Sequence, residues 1–539
     1  MGTRVLVVFV PGHQATLPML CPKTPLVMLA GALRGEGVAA DCMDFGMLDR
    51  IARTTAKPGV SPPEDKLPGW MRLWRRQTDG SSSAGMIATT PYKTPHALVP
   101  EIGRAVLAVN PTLIAWHVGS RDEYRMTKAV SGFVRHHAPH IHQTLTGPYI
   151  TAFGAYAIAG FAFADTGIVS NTVQALTALS ETHDDTAAWR RIPGLIHREG
   201  AKLTCNPCAP PKTEACFTAY LPTTHEVASA GAQFAVYPLS FEHDALVTDK
   251  LHFDTPLHWQ PPEMRVFSII QALHERYGAV VFHIDAHDVG PATLERFADA
   301  LLAHNAMAVY SLGRLSQPCE SALADRLFAS GCRAAGFCVP SGSQRLLEDF
   351  HGRTVSVSAL RATLRCCRAA GMFTAVHLCY PCPGDDYHTR AETELFMEAC
   401  RPDGVQIDPP TLCPDSLWFK RAPLYGFQLD YHAYQQWAAG EKAMPYRMQG
   451  WKNGRADTAR RALAHATQQL GCMPGITEQH GLLARIARST SDEQAFLETL
   501  TTAFERQDAP ALQHLMAQVN GTCDMLQSGV ISSHTAEAR

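Results

Sequence analysis

Between Gly278 and Gly290-Pro291 lies Ala279-Val-Val-Phe-His283-Ile-Asp285-Ala-His287-Asp288, a run of β-formers with imidazole or carboxylate at every second position of its second half. Side chains alternate faces along a strand, which puts His283, Asp285 and His287 on one side, with Val281, Phe282, Ile284 and Ala286 packing around them. Such groups at the end of a buried strand suit the floor of an active site. Imidazole and carboxylate suit zinc, iron or manganese. A second concentration follows Leu239: Glu242, His243, Asp244, Asp249, His252, Asp254 and His258. The candidate metal ligands are therefore His243, His252, His283, Asp285 and His287, and a site with open positions could activate water or oxygen. The plain alternative is a solvated polar loop beside a strand with hydrogen-bonded core histidines, because 25 histidines make some clustering expected. Cys205-x-x-Cys208 with Cys216 lacks a second pair at zinc-like spacing, and free thiols in a linker are the simpler reading. Cys379, Cys382 and Cys413 could supply a nucleophile or an unusual cluster, though cysteine is commonly a small buried hydrophobe.

The elements that must position these groups are those of a large globular chain. With 539 residues, 46% apolar and 18% charged, it can bury two or three cores. A net charge of -3 without a Lys/Arg block argues against a nucleic-acid or anionic-membrane surface. The apolar run Val5–Val10 is too short for a signal peptide and no later run approaches a membrane span, so a cytoplasmic location with reduced thiols is expected.

Two alternating β/α series are legible. In the first, strands at Arg4–Val10, Val38–Asp44, Thr112–Val118, Ile141–Leu145 and Thr166–Ser170 alternate with helices at Thr24–Arg34, Ala97–Val109, Glu123–His136 and Thr172–Ser180. Five parallel strands with crossover helices predict a flavodoxin-like, Rossmann-type sheet over residues 1–190, with its ligand site beyond the strand C-termini. The ligand-facing loops are then Pro11–Thr24, Gly119–Arg121 and Thr146-Gly147-Pro148-Tyr149. A hairpin around Glu199-Gly200 and a linker occupy residues 191–230. The second series spans 231–430, with strands at Phe234–Leu239, Ala279–Asp285, Met307–Leu312, Ala334–Val339, Phe373–Cys379 and Gly404–Ile407. Six β/α units predict a partial (β/α)6 barrel with its active site at the strand C-terminal face. Helical patterns dominate 431–527; amphipathic helices at Thr458–Leu470, Glu478–Arg488, Asp492–Gln507 and Ala509–Val519 are expected to cover the open side of the barrel, aromatics in Tyr431–Trp451 line an entrance or pack in a core, and 528–539 reads as a disordered tail.

Several phrases, in order, carry a family resemblance. Gly331-Cys332-Arg-Ala-Ala-Gly336-Phe-Cys-Val-Pro340-Ser341-Gly342-Ser343-Gln344 resembles the strand and loop of radical S-adenosylmethionine enzymes that ends in Glu-Ser-Gly-Ser-Gln. The segment Ala375–Asp386 is similar to their Pro-Gly-Asp turn, and Arg314 stands where that family often has an arginine. Pro22–Gly37 resembles a segment of the cobalamin-binding domain that precedes the radical domain in one subclass, and Ile192–Gly200 its Pro-Gly hairpin. The resemblance runs over roughly residues 3–430.

This resemblance implies cobalamin held at the first sheet, through loops containing Thr24, Gly119, Gly147, Pro148 and Tyr149, and a small-molecule substrate in the barrel. Arg314, Ser341, Gly342 and Ser343 would face S-adenosylmethionine, although the Ser-Gly-Ser loop also suits a simple helix N-cap. The family holds an iron-sulfur cluster on Cys-x-x-x-Cys-x-x-Cys, a spacing that occurs nowhere in this chain, and the corresponding loop after Leu239 has no cysteine. A standard cluster is therefore not expected. Three functions fit: a methyl-transferring or rearranging cobalamin enzyme acting on a natural-product or cofactor precursor; a non-catalytic paralogue that binds cobalamin or a partner enzyme; and a metal enzyme using His283, Asp285 and His287.

Overall fold

The computed structural model describes residues 3–10, 24–45, 95–208, 236–240, 263–440, 446–506 and a few positions up to 519, excepting 171, 201, 278, 288, 350, 352–354, 415, 452 and 488–491. They fall into two compact units: residues 3–208 with 430–440, and residues 236–240 with 263–429 and those from 446 onward.

In the first unit β1 (Arg4–Phe9), α1 (Thr24–Gly35), β2 (Ala39–Asp44), α2 (Pro95–Ala108), β3 (Leu113–His117), α3 (Arg121–His137), β4 (His142–Thr146), α4 (Pro148–Ala159), β5 (Thr166–Ile168) and α5 (Thr172–Thr182) alternate. The hairpin β6 (Leu195–Glu199) and β7 (Lys202–Cys205) follows. The sheet runs β2-β1-β3-β4-β5-β6-β7, parallel up to β5 and antiparallel beyond it. Its parallel part has the expected flavodoxin-like order, because near-continuous apolar runs such as Val5–Phe9 can be buried on both faces. Val5, Val7, Leu113 and Ala115 form the core on one face with Leu26 and Leu33 of α1 and Leu176 and Leu179 of α5. The Pro-Gly hairpin has a steric cause: Gly194 has φ +68°, and a Cβ there would collide with Ser170 at the end of β5.

In the second unit β8 (Val236–Ser240), α6 (Glu263–Tyr277), β9 (Val281–Asp285), α7 (Pro291–Ala303), β10 (Val309–Leu315), α8 (Ser321–Ala329), β11 (Cys332–Cys338), α9 (Gln344–Asp349), α10 (Val357–Ala369), β12 (Phe373–Cys379), α11 (Tyr387–Cys400) and β13 (Gly404–Asp408) build a partial β/α barrel. The order is β8-β9-β10-β11-β12-β13 and then a seventh strand at Met473–Pro474, all parallel. Six strands are those read from the sequence. The seventh, β16 (Met473–Pro474), pairs over two residues, too short for any alternation to show.

The C-terminal residues divide between the two units. α12 (Tyr431–Ala438) belongs to the first unit, where the Tyr149 hydroxyl donates to the Ala438 carbonyl at 2.9 Å and Gly160 leaves room for Ala439. β14 (Phe427–Leu429) and β15 (Tyr446–Met448) form a two-stranded ribbon in the second unit. α13 (Asn453–Gln469) leads to β16; α14 (Glu478–Ala487) lies against β10, β11 and β12; α15 (Glu493–Arg506) packs on α14. Asp492 caps α15, accepting from the Ala495 N–H at 2.9 Å. Among the described residues no helix is long and apolar enough to cross a membrane.

Candidate functional site

Strand register places His283 beside Ser311, Asp285 beside Gly313, Cys338 beside His377, and His377 beside Gln406. Paired residues of parallel strands share a face, so these side chains line the inner wall of the barrel. Against this wall α14 sets its first residue, Glu478, whose side chain is 5% exposed. Two glycines make the space: a Cβ on Gly313 would come 2.8 Å from His283 Cε1, and one on Gly336 would collide with the Glu478 carboxylate. Farther along α14, Gly481 lets the helix lie against the Phe373 ring.

The result is a buried carboxylate between two imidazoles. Glu478 Oε2 is 2.9 Å from His377 Nε2, and Oε1 is 3.9 Å from His283 Nε2. His283 Nδ1 meets Ser311 Oγ at 2.9 Å. The hydrogen bond and charge of His377, together with the nearby His283, hold Glu478 down to about 2 despite its burial. Glu478 raises His377 above its ordinary value against the opposing effect of burial, whereas burial dominates at His283 and lowers it. Glu478 therefore favours the charged form of His377, while burial favours the neutral form of His283.

The strand-end residues are deployed otherwise than period two implied. Asp285 receives both arms of Arg314, with Nε at 3.0 Å from Oδ1 and an Nη–H on Oδ2. Its Oδ1 also accepts the His287 backbone N–H at 3.2 Å. Arg314 sits at φ +57°, a left-handed conformation sustained by that pair. His287 lies beyond the end of β9 and is buried. Among the described residues no three His, Cys, Asp or Glu side chains are grouped to hold a metal ion, and His283, Asp285 and His287 are not so grouped by themselves. His243 and His252 lie outside the described residues.

The loop residues act mainly as scaffold. Gly342 is pressed on α11, its N–H donating to Thr393 Oγ1 at 3.1 Å and a Cβ coming 2.6 Å from Thr393 Cα. Ser341 Oγ accepts the Ser343 N–H at 3.1 Å, while Ser343 Oγ is buried without a partner. In the first unit Gly119 is exposed and its N–H donates to Glu123 Oε2 at 2.6 Å, beside the Ser120/Glu123 capping box of α3. Gly147 has φ +104°, and a Cβ there would come 2.6 Å from the Val118 carbonyl oxygen. Pro148 opens α4, Tyr149 is buried, and Thr24 is the first residue of α1. Four hydroxyls of this unit are buried without hydrogen-bond partners, those of Thr127, Thr144, Ser170 and Thr177; Thr144 lies on β4 and Ser170 just after β5.

His377 and Glu478 were missed in the sequence. His377 did stand at an inward position of a legible strand, and Glu478 began a legible helix, but nothing local joins residues 101 apart.

No family model matches the chain, and no curated protein matches it. Solved structures do. The radical S-adenosylmethionine methyltransferase TsrM from Kitasatospora setae, with cobalamin and a 4Fe-4S cluster bound, is similar at TM-score 0.61 and 13% identity, covering 97% of this chain and 99% of that one. The same methyltransferase with tryptophan substrate and the S-adenosylmethionine analogue aza-SAM gives TM-score 0.52 and 14% identity over 76% and 73% of the two chains. The cobalamin-dependent S-adenosylmethionine radical enzyme OxsB, with aqua-cobalamin and S-adenosylmethionine bound, gives TM-score 0.54 and 10% identity over 98% and 82%. The chain therefore has the fold of the cobalamin-dependent radical S-adenosylmethionine enzymes, a Rossmann-like domain followed by a partial β/α barrel.

Proposed function

We propose that this protein is a cobalamin-binding enzyme of the methyl-transferring or rearranging type, acting on a small natural-product or cofactor precursor without the standard iron-sulfur cluster. The observation that carries the reading is the extent of the fold likeness, 97% of this chain, combined with a preorganised polar floor in the barrel. Bound cobalamin would supply the group-carrying metal centre. Thr144 and Ser170, buried hydroxyls without partners, suit a polar ligand of the first sheet, and Gly119, Gly147, Pro148 and Tyr149 shape the loops around it. Ser343 Oγ offers a similar unmet hydrogen bond to an adenosyl ligand in the barrel. The residues do not fit the standard cluster, since no Cys-x-x-x-Cys-x-x-Cys exists in the chain; the methyl group would then be relayed by polar chemistry, or another metal would replace the cluster.

Purification with and without oxygen, followed by absorption spectra and metal analysis, tests this. Expected is a corrinoid spectrum, or corrinoid uptake on reconstitution, without stoichiometric iron. A protein with no affinity for cobalamin sinks the proposal. The absent cluster motif also favours a second reading, a non-catalytic cobalamin- or partner-binding paralogue. Corrinoid binding without turnover, beside co-purification with an active enzyme, would select it.

A further inference from the structure

The two imidazoles on the barrel floor differ in one respect. His283 has both ring nitrogens directed at protein groups, Nδ1 at Ser311 and Nε2 at Glu478. His377 uses only Nε2; its Nδ1 has no hydrogen-bond partner among the described residues and belongs to a side chain 26% exposed. An ionised carboxylate only accepts, so Glu478 fixes the Nε2–H on His377. Nδ1 then carries a lone pair in the neutral ring and an acidic proton in the imidazolium. This is the arrangement in which a carboxylate orients a histidine for proton transfer.

We propose that His377 exchanges a proton with a small molecule bound inside the barrel, and that Glu478 is its positioning residue. The inference rests on the reading of the barrel as a small-molecule site. The substrate class is a compound whose reacting atom bears an ionisable N–H or O–H. The Nδ1 lone pair takes that proton, the electrons of the broken bond stay on the substrate atom as a nucleophile, and Glu478 remains ionised to balance the imidazolium. The reverse transfer returns the proton. A packing role alone does not account for the pair, because a buried ion pair is often no better for stability than apolar side chains of the same volume. The groups acting on His377 are Glu478 from α14, His283 from β9, Arg314 from β10 and Asp408 from β13, with Cys338 alongside on β11.

The full chain, labelled with nitrogen-15 in its histidine rings, provides the test, with His377→Gln identifying the signals. The neutral ring should be the Nε2–H tautomer, and Glu478→Gln should lower the His377 titration by about 1–3 units, as loss of an adjacent charge does, with Glu478→Asp recovering part of the shift. An Nδ1–H tautomer, or a titration unmoved by Glu478→Gln, overturns the proposal. Should that variant fail to fold, diethyl pyrocarbonate footprinting of the unaltered chain decides. His377 should be modified and His283 spared; protection of His377 overturns the proposal. Both measurements are made without cobalamin, so their failure is separable from a failure to bind corrinoid.

Discussion

A carboxylate as deeply buried as Glu478 stays ionised because His377 reaches it at 2.9 Å and because it opens a helix, where backbone N–H groups favour negative charge. In the unfolded chain the same group titrates near 4.3, roughly. In the fold it is held down to about 2, so its contribution to stability is complete above the unfolded value and drains as pH falls toward 2. The wild-type urea midpoint should therefore fall more steeply between about pH 4 and 2 than that of Glu478→Gln. At neutral pH, Glu478→Ala should cost about 3 kcal/mol, since removing one partner of a buried pair leaves the other uncompensated. Gly336→Ala acts on the same carboxylate by crowding and should cost about 1–3 kcal/mol in denaturant unfolding.

Elements decide what a residue pattern is for. The alternation of β9 ends at Asp285, and His287 lies past the strand, so the His-x-Asp-x-His spacing dissolves where the chain turns. Asp285 braces that turn through Arg314 and the His287 N–H. At the corresponding end of β4, Gly147 combines φ +104° with contact on the Val118 backbone, a conformation no side chain enters cheaply. Gly147→Ala should lower stability by about 1–3 kcal/mol, read from thermal or urea unfolding.

At the scale of the molecule, the first unit is completed by residues 430–440, which follow the main barrel strands in sequence. Trp437 is buried there, 5.2 Å from the Phe153 ring and 5.6 Å from the Arg121 guanidinium, and its carbonyl accepts from Arg121 Nε at 3.2 Å. Trp437→Ala should cost about 3–5 kcal/mol, the range for removing a large aromatic from a core. Limited proteolysis of that variant should release protection at Tyr149 and Phe153 on α4. Unaltered cleavage there would mean that the segment contributes no packing.

The sequence by itself determined the two α/β series and most strand boundaries to within a few residues. Those features are encoded locally, in apolar runs, helical periodicity and glycine or proline punctuation within windows of a dozen or so residues. The Ser-Gly-Ser and Pro-Gly phrases were legible for the same reason, since each answers a backbone constraint of its own loop. Only the tertiary structure decided that Glu478 meets His377, that Asp285 serves Arg314, and that residues 430–440 pack 289 positions away on Tyr149. Such pairings have no local signal. They arise when a whole core closes and burial selects which distant polar groups must satisfy one another.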